Sequence, residues 1–202
     1  KIISITQQTG DDAAGEMASK LFSLFDEYQS KENAKHTQQA MQENARQGYW
    51  NGSVPPFGFR AVTTETVGNR GRCKRRLELD PLEAETVREI YRLYLAGHDG
   101  NVMGMKAIAT YLNRQGLTMR GRPWRIQKVN RLLADPLYAG CFYFNRRDSR
   151  THKERPQPEW IAVAVPAIID AGAFERVAKR RAMSNPNATP PRATSSPAPL
   201  VG

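Results

Sequence analysis

The sequence predicts an α+β chain, mainly helical. Three observations carry this. Residues 12–47 hold one helical pattern that no Pro or Gly interrupts after Gly15. Three shorter helical patterns with start or stop residues follow between residues 80 and 134. Short strand-like runs bounded by Gly, Pro, Asn and Asp occupy much of the rest. The expected order is a long N-terminal helix, a linker, a small helical domain with a short β-hairpin and a helix-turn-helix-like pair, and then a partial β/α segment.

Residues 1–6 (KIISIT) read as a short strand. A lone strand is not stable, so it is expected to belong to a sheet completed by other residues, and the chain to be a piece of a longer protein. Asp11 and Asp12 suit a helix N-terminus. In the helix that follows, Met17, Leu21, Leu24 and Tyr28 fall at 4-3-4 spacing, with Phe22 and Phe25 beside them. Residues 29–47 carry one large apolar side chain, Met41. A helix cannot bury a face it does not have. The first half should therefore pack on a core or a partner helix. The second half is either a solvated rod or lies along something polar.

Gly48 and the Pro55-Pro56 pair end that helix and force an extended linker over 48–60, studded with Tyr49, Trp50, Phe57 and Phe59. Residues 61–66 and 76–79 suit the arms of a hairpin whose tip is basic (Arg70, Arg72, Lys74, Arg75, Arg76). Those cations either meet phosphate or are simply solvated. Asp80-Pro81-Leu82-Glu83 opens the next helix, with Asp as N-cap, Pro at the first turn and Glu positioned to close a capping box. Its apolar stripe is Val87, Ile90, Tyr91 and Tyr94, and Gly97 closes it. A second helix over 104–115 points Met105, Ile108, Ala109 and Leu112 inward before Gly116. A third over 124–134 points Ile126, Val129 and Leu133 inward, with Leu132 at the margin, and Pro136 ends it. Residues 138–145 and 160–165 are strand-like around a polar loop, and Asp170 caps a helix over 171–183. From residue 184 the composition turns to Pro, Asn, Ala, Thr and Ser, a flexible tail.

The net charge of +10 is concentrated. Residues 51–150 hold 18 basic and nine acidic side chains, whereas residues 1–50 hold five and seven. Such a field suggests a polyanion partner. The third helix of the domain is the sharpest candidate site. At 3.6 residues per turn, Gln127, Lys128 and Arg131 lie opposite the apolar face, with Asn130 on the flank. Arg120, Arg122 and Arg125 lie just upstream, and no acidic residue interrupts residues 120–131. Arg or Lys can pair with guanine, Asn or Gln with adenine, and spare cations with phosphate. The plainer alternative is a solvated helix face, although such faces usually mix signs.

Other chemistry finds no support. There is no Walker loop, no HExxH, and no serine at a recognisable spacing from histidine. Cys73 and Cys141 form no CxxC, and His36, His98 and His152 are scattered, so no metal site and no cofactor is expected within the chain. Two distant thiols fit a reducing cytoplasm. No apolar run reaches membrane-spanning length, and no signal peptide is recognisable.

Several segments, in order, resemble large serine recombinases of the resolvase–invertase superfamily. They are residues 25–59 (FDEYQSKENAKHTQQAMQENARQGYWNGSVPPFGF), Leu79-Asp80 with Glu83-Ala84 and Val87, Ile108-Ala109 with Leu112-Asn113 and Gly116, and Trp124. Asp135-Pro136-Leu137-Tyr138-Ala139-Gly140 follows, and then Val165-Pro166-Ala167-Ile168-Ile169-Asp170 with Phe174. The resemblance covers nearly the whole chain.

That resemblance implies a division of labour. Residues 1–47 would be the last strand and long helix of a resolvase-like catalytic domain. Met17, Leu21, Leu24 and Tyr28 would dimerise, and the polar half of the helix would ride on DNA. Residues 48–60 would be a linker along the minor groove, contributing Trp50 and Asn51. Residues 61–140 would be the recombinase DNA-binding domain, with Arg60 at its edge and Arg120, Arg122, Arg125, Gln127, Lys128, Asn130 and Arg131 on DNA. Residues 141–183 would begin the zinc-ribbon region and 184–202 would be the tail. The full-length protein would be bacterial or phage-encoded and bind zinc. It would exchange strands at a double-stranded attachment site through phosphoserine links, as a dimer assembling into a synaptic tetramer. The catalytic serine and zinc cysteines are expected outside this chain, which should bind DNA without recombining it. The family's Glu-Arg pair in the long helix is replaced here by Gln29 and Ser30, so no catalytic role passes to them. A helix-turn-helix transcription regulator and a protein-interaction module remain alternative readings. The first needs a self-contained N-terminal domain, and the second predicts no binding to random duplex.

Overall fold

The computed structural model describes residues 13–68 and 71–184. The strand expected at 1–6, the Asp11–Asp12 cap, Arg70 at the hairpin tip and the tail beyond Ser184 lie outside them. The described chain is α+β and mainly helical, as expected. Helix α1 spans Ala13–Arg46. It is followed by strands β1 (Phe59–Val67) and β2 (Cys73–Leu79), helices α2 (Pro81–Leu95), α3 (Met105–Arg114) and α4 (Ile126–Ala134), strands β3 (Cys141–Phe144) and β4 (Ile161–Ala164), and helix α5 (Ala171–Met183). Each strand pair forms its own antiparallel two-stranded sheet.

Helix α1 is about 50 Å long at 1.5 Å per residue. From residue 19 to residue 41 every side chain except Glu32 is exposed. Gly15 and Ala45 are the buried residues of this helix, and it contacts β4. Gly48, with φ +80°, lets the chain leave the helix.

The β1–β2 hairpin is longer than expected. Its register pairs Phe59 with Leu79 and Thr63 with Arg75, and an irregularity lies between Thr63 and Val67. Consequently Lys74 and Arg75 lie in strand β2, alongside Arg76, and not at a tip. They fold back on the end of α1 and the linker: Lys74 Nζ donates to Gln47 Oε1 at 2.8 Å, just past α1, and Arg75 Nη2 donates to the Gly52 carbonyl at 2.8 Å. Lys74 and Arg76 also stand over the Tyr49 ring at 4.5 and 4.9 Å. A linker of aromatics and open carbonyls offers such cations partners that no linear pattern reveals.

The core gathers Phe57, Phe59 and Leu77 with Val87, Ile90, Tyr91, Leu93 and Tyr94 of α2, Ile108 and Leu112 of α3, and Val129, Leu132 and Leu133 of α4. Ile168, Ile169, Ala173 and Val177 belong to the same cluster. The division expected at residue 140 is therefore not where the core divides. Helix α5 completes the helical domain because its apolar stripe meets α2 and α4.

Two expectations about helices need correction. Asp80 caps α2 as expected, with Oδ1 accepting from Glu83 N–H at 3.0 Å. The reciprocal half of the capping box is absent. Asp80 N–H donates to the Gly58 carbonyl, and the Glu83 carboxylate turns outward to the linker. Helix α4 begins at Ile126, with Arg125 as its N-cap. Its first turn reaches past the core, so Ile126 is 44% exposed, whereas Leu132 is buried.

Gly58 illustrates the tolerance of this packing. Its φ is +94°, and a Cβ there would stand 2.7 Å from Ile168 Cδ1 and 3.2 Å from Val87 Cγ2. Gly58→Ala should lower unfolding free energy by roughly 2 kcal/mol or more through strain and crowding. Chemical denaturation measures this. An unchanged midpoint would contradict the packing described.

Candidate nucleic-acid interface

Helix α4 owes its existence to its buried face. Nine residues are too few for a stable isolated helix, and no side chain caps its N-terminus. Val129, Leu132 and Leu133 hold it in place. Trp124, two residues before the helix begins, is 2% exposed and meets Phe57 edge-on at 5.2 Å. Asn113 of α3 braces it from both sides. Trp124 N–H donates to Asn113 Oδ1 at 2.8 Å, and Asn113 Nδ2 donates to the Trp124 carbonyl at 3.0 Å. This fixes the entry of α4 relative to α3. Sequence reading places Trp124 inside the helix and gives Asn113 no such task, since a brace between residues 11 apart has no periodic signature.

The α3–α4 connection contains a tight turn. Met119 and Arg122 exchange backbone hydrogen bonds at 2.8 and 3.2 Å. Between them Arg120 and Gly121 both have positive φ, +52° and +78°. This is the geometry of a primed hairpin turn, in which glycine is at ease and arginine is not. The Arg120 side chain supplies the compensation. Its Nε and Nη2 fork onto Glu83 Oε1 and Oε2 at 2.6 and 2.7 Å. Nη1 donates to the Pro55 carbonyl at 2.8 Å, and Nη2 also reaches the carbonyls of Pro56 and Phe59 at 3.3 and 3.2 Å. Glu83 Oε2 further accepts from Gly58 N–H at 2.8 Å. The hydrogen bond to Glu83, with the nearby carboxylate charge, holds the guanidinium above its usual pKa despite partial burial.

Arg120 was expected on DNA; in the structure it is a clamp joining linker, α2 and turn. Trp50 likewise faces its own chain. It packs on Phe142 at 5.2 Å, and its Nε1 is buried. Asn51 Nδ2 donates to the Met41 carbonyl at 2.7 Å. Arg60 makes an exposed cross-strand pair with Glu78 at 3.2 Å. Asn130 is exposed but its Oδ1 accepts from Arg181 Nη2 of α5 at 2.9 Å.

The remaining expected residues do converge. Arg122, Arg125 and Lys128 line one groove with Val54, Pro55, Pro56 and Phe57 of the linker. Lys128 also borders a second hollow with Gln127, Asn130 and Arg131. Arg122, Arg125, Gln127, Lys128 and Arg131 are all exposed. No ion pair within the described residues engages Arg122, Arg125, Lys128 or Arg131. The result is a cationic and amide-bearing ridge on a helix whose opposite face is sealed. The apolar stripe Met17, Leu21, Leu24 and Tyr28 lies apart on α1, with Met17 65% and Tyr28 66% exposed.

Elsewhere, burial raises the pKa of the Tyr91 and Tyr138 hydroxyls, with the nearby Asp135 charge adding to it. Tyr91 Oη donates to the Leu132 carbonyl at 3.3 Å, tying α2 to α4. Among the described residues no three His, Cys, Asp or Glu side chains cluster to hold a metal. No described helix is long and apolar enough to cross a membrane.

A family model described as Recombinase matches residues 81–183, from the start of α2 to the end of α5. Two solved structures are similar to this chain. One is described as the crystal structure of an LSR–DNA complex, with 16% identity, 77% of this chain and 42% of that chain covered, and a TM-score of 0.49. The other concerns the sequence requirements of the Listeria innocua prophage attP site, with 16% identity, 75% and 54% covered, and a TM-score of 0.48. The chain spans about half the length of these solved proteins.

The clamp and the brace make a prediction about stability. Arg120→Ala leaves the partly buried Glu83 carboxylate without its fork and should cost about 1–3 kcal/mol. Asn113→Ala should cost a similar amount by freeing Trp124. Thermal unfolding of both variants checks this. Wild-type stability in either would overturn the role assigned to it.

Proposed function

Because the chain belongs to the Recombinase family, we propose that it binds duplex DNA at one half of an attachment-like site and that α4 reads the major groove. The observation that carries the reading is the division of α4. Val129, Leu132 and Leu133 are sealed in the core, while Gln127, Lys128 and Arg131 stand exposed with Arg122 and Arg125 just before them. A helix with one acid-free polar face offers donors and acceptors to base edges and cations to phosphates. The linker prolines beside Arg122 and Arg125 put an extended backbone next to that ridge, suited to following the duplex. In the full-length protein this recognition half would serve a resolvase-like domain that exchanges strands through phosphoserine links, with zinc held by a separate ribbon. The chain alone would bind without recombining.

Two measurements test this. Duplex binding should weaken steeply with salt. Lys128→Ala and Arg131→Ala should each lower affinity about tenfold, and loss of a phosphate contact should reduce the salt slope by about 0.9. If neither substitution changes binding, α4 is not the reader. Arg120→Ala should leave the salt slope unchanged once stability is matched.

The exposed stripe of α1 favours self-association as part of the same reading. Met17, Leu21, Leu24 and Tyr28 share one face, and their exposure leaves apolar area available to a second copy. Leu21→Asp with Leu24→Asp should shift sedimentation toward monomer without altering the domain's unfolding midpoint. A wild-type chain that stays monomeric at high concentration would remove this role.

A further inference from the structure

Asn130 is a base-reading candidate whose amide is not free to turn. Its neighbour Arg181 lies on α5, 51 residues later, and its Nη2 donates to Asn130 Oδ1 at 2.9 Å. A guanidinium has only donors. The atom facing it must therefore be the amide oxygen, which assigns the orientation of Asn130 by chemistry. Asn130 itself is exposed, so its Nδ2 amino group is open to a partner.

Arg181 is itself held in place. The preceding residue, Arg180, lies over the Tyr94 ring at 4.2 Å and donates through Nη2 to the Met103 carbonyl at 3.2 Å. Val177, one turn earlier, is fully buried. These contacts fix the last turn of α5 on α2 and the segment before α3. Arg181 also shares a groove with Ile126, Gln127 and Asn130 along the flank of α4. Its side chain is only partly exposed, and its Nε is buried. That is the disposition of a support, not of a free phosphate-binding cation.

We propose that Arg181 is a positioning residue for base recognition. It holds the Asn130 amide with the amino group presented, so that α4 favours a base edge bearing an acceptor at that position and disfavours the amino group of cytosine. A major-groove acceptor is offered by guanine O6 or N7, adenine N7 and thymine O4, and cytosine offers the N4 donor. In the absence of Arg181 the amide would turn freely and accept or donate with equal ease. The inference rests on α4 being the reader.

The test is selection of binding sites from a random duplex library, followed by affinities for the selected site and for its single-base variants. The full 202-residue chain is used, with Arg181→Ala, Arg181→Lys, Asn130→Ala and the Arg181→Ala/Asn130→Ala double variant. Thermal unfolding accompanies each. Arg181→Ala and Asn130→Ala should lose discrimination at the same single base position, by about tenfold. The double variant should lose no more than either alone, and Arg181→Lys, which keeps a donor, should restore most of the preference. The salt slope should not move.

A uniform loss of affinity with a salt slope smaller by about 0.9 would instead make Arg181 a phosphate contact and overturn the proposal. So would an unaltered base preference in Arg181→Ala. If Arg181→Ala unfolds, Arg181→Met, which keeps the aliphatic stem and lacks a donor, decides the same question: it should lose preference at the position that Asn130→Ala loses, and an unaltered preference or a loss at a different position overturns the proposal. Lys128→Ala and Arg131→Ala separate the two levels. If they weaken binding while Arg181→Ala leaves preference intact, only this inference falls. If they too have no effect, the reading of α4 falls with it.

Discussion

The Arg120–Glu83 pair is the interaction on which the placement of the exposed cationic ridge depends. Glu83 stands in the first turn of α2, where Asp80 caps the helix and holds the Glu83 backbone. Its carboxylate accepts Gly58 N–H and both arms of the Arg120 fork. The same guanidinium takes carbonyls from Pro55, Pro56 and Phe59. Three segments far apart in sequence meet there: the linker, the start of α2 and the turn before α4. The left-handed backbone at Arg120 costs of order 1 kcal/mol or more, and charge-assisted hydrogen bonds offset it. A partly exposed ion pair alone contributes little. Its importance here is geometric, because it fixes the prolines next to Arg122 and Arg125.

Beyond the clamp, α4 is placed by burial. Each of Val129, Leu132 and Leu133 gains roughly 1.5–3 kcal/mol on leaving water, which a nine-residue helix needs in order to exist at all. Trp124 and its Asn113 brace set where that helix starts. Helix α5 closes the same core from the other side, so the segment after residue 140 is structural support for α4. The exposed ridge is consequently rigid. Its cations are displayed by a helix that cannot rotate without exposing three core side chains.

Helix α1 is built on a different principle. Its exposed middle has no core to pack on, and its ion pairs, such as Lys31–Glu27 at 2.6 Å, are surface i,i+4 contacts worth a few tenths of a kcal/mol each. Length and an absence of breakers sustain it, together with the anchor at Ala45. An apolar stripe exposed on such a rod is unfinished burial, which in the proposed reading a second copy completes.

Most of this architecture is legible in the sequence because its causes are local. Helical periodicity, the Asp80 and Asp170 caps, the stop at Gly97 and the polar face of α4 all depend on residues within a turn or two of one another. The end of the core was not legible, so Ile126 and Leu132 exchange their expected places, and α5 joins a domain it was expected to leave. Still less legible was which cations are free. Arg120, Lys74, Arg75 and Arg181 look like Arg122, Lys128 and Arg131 in a linear pattern. Their partners, however, lie up to 65 residues away. A side chain's charge belongs to the sequence, but its partner is chosen by distances that exist only once the chain has folded. The sequence by itself therefore determined the α+β, mainly helical class and the face that points outward. The tertiary structure decided which residues on and around that face are left to meet something else.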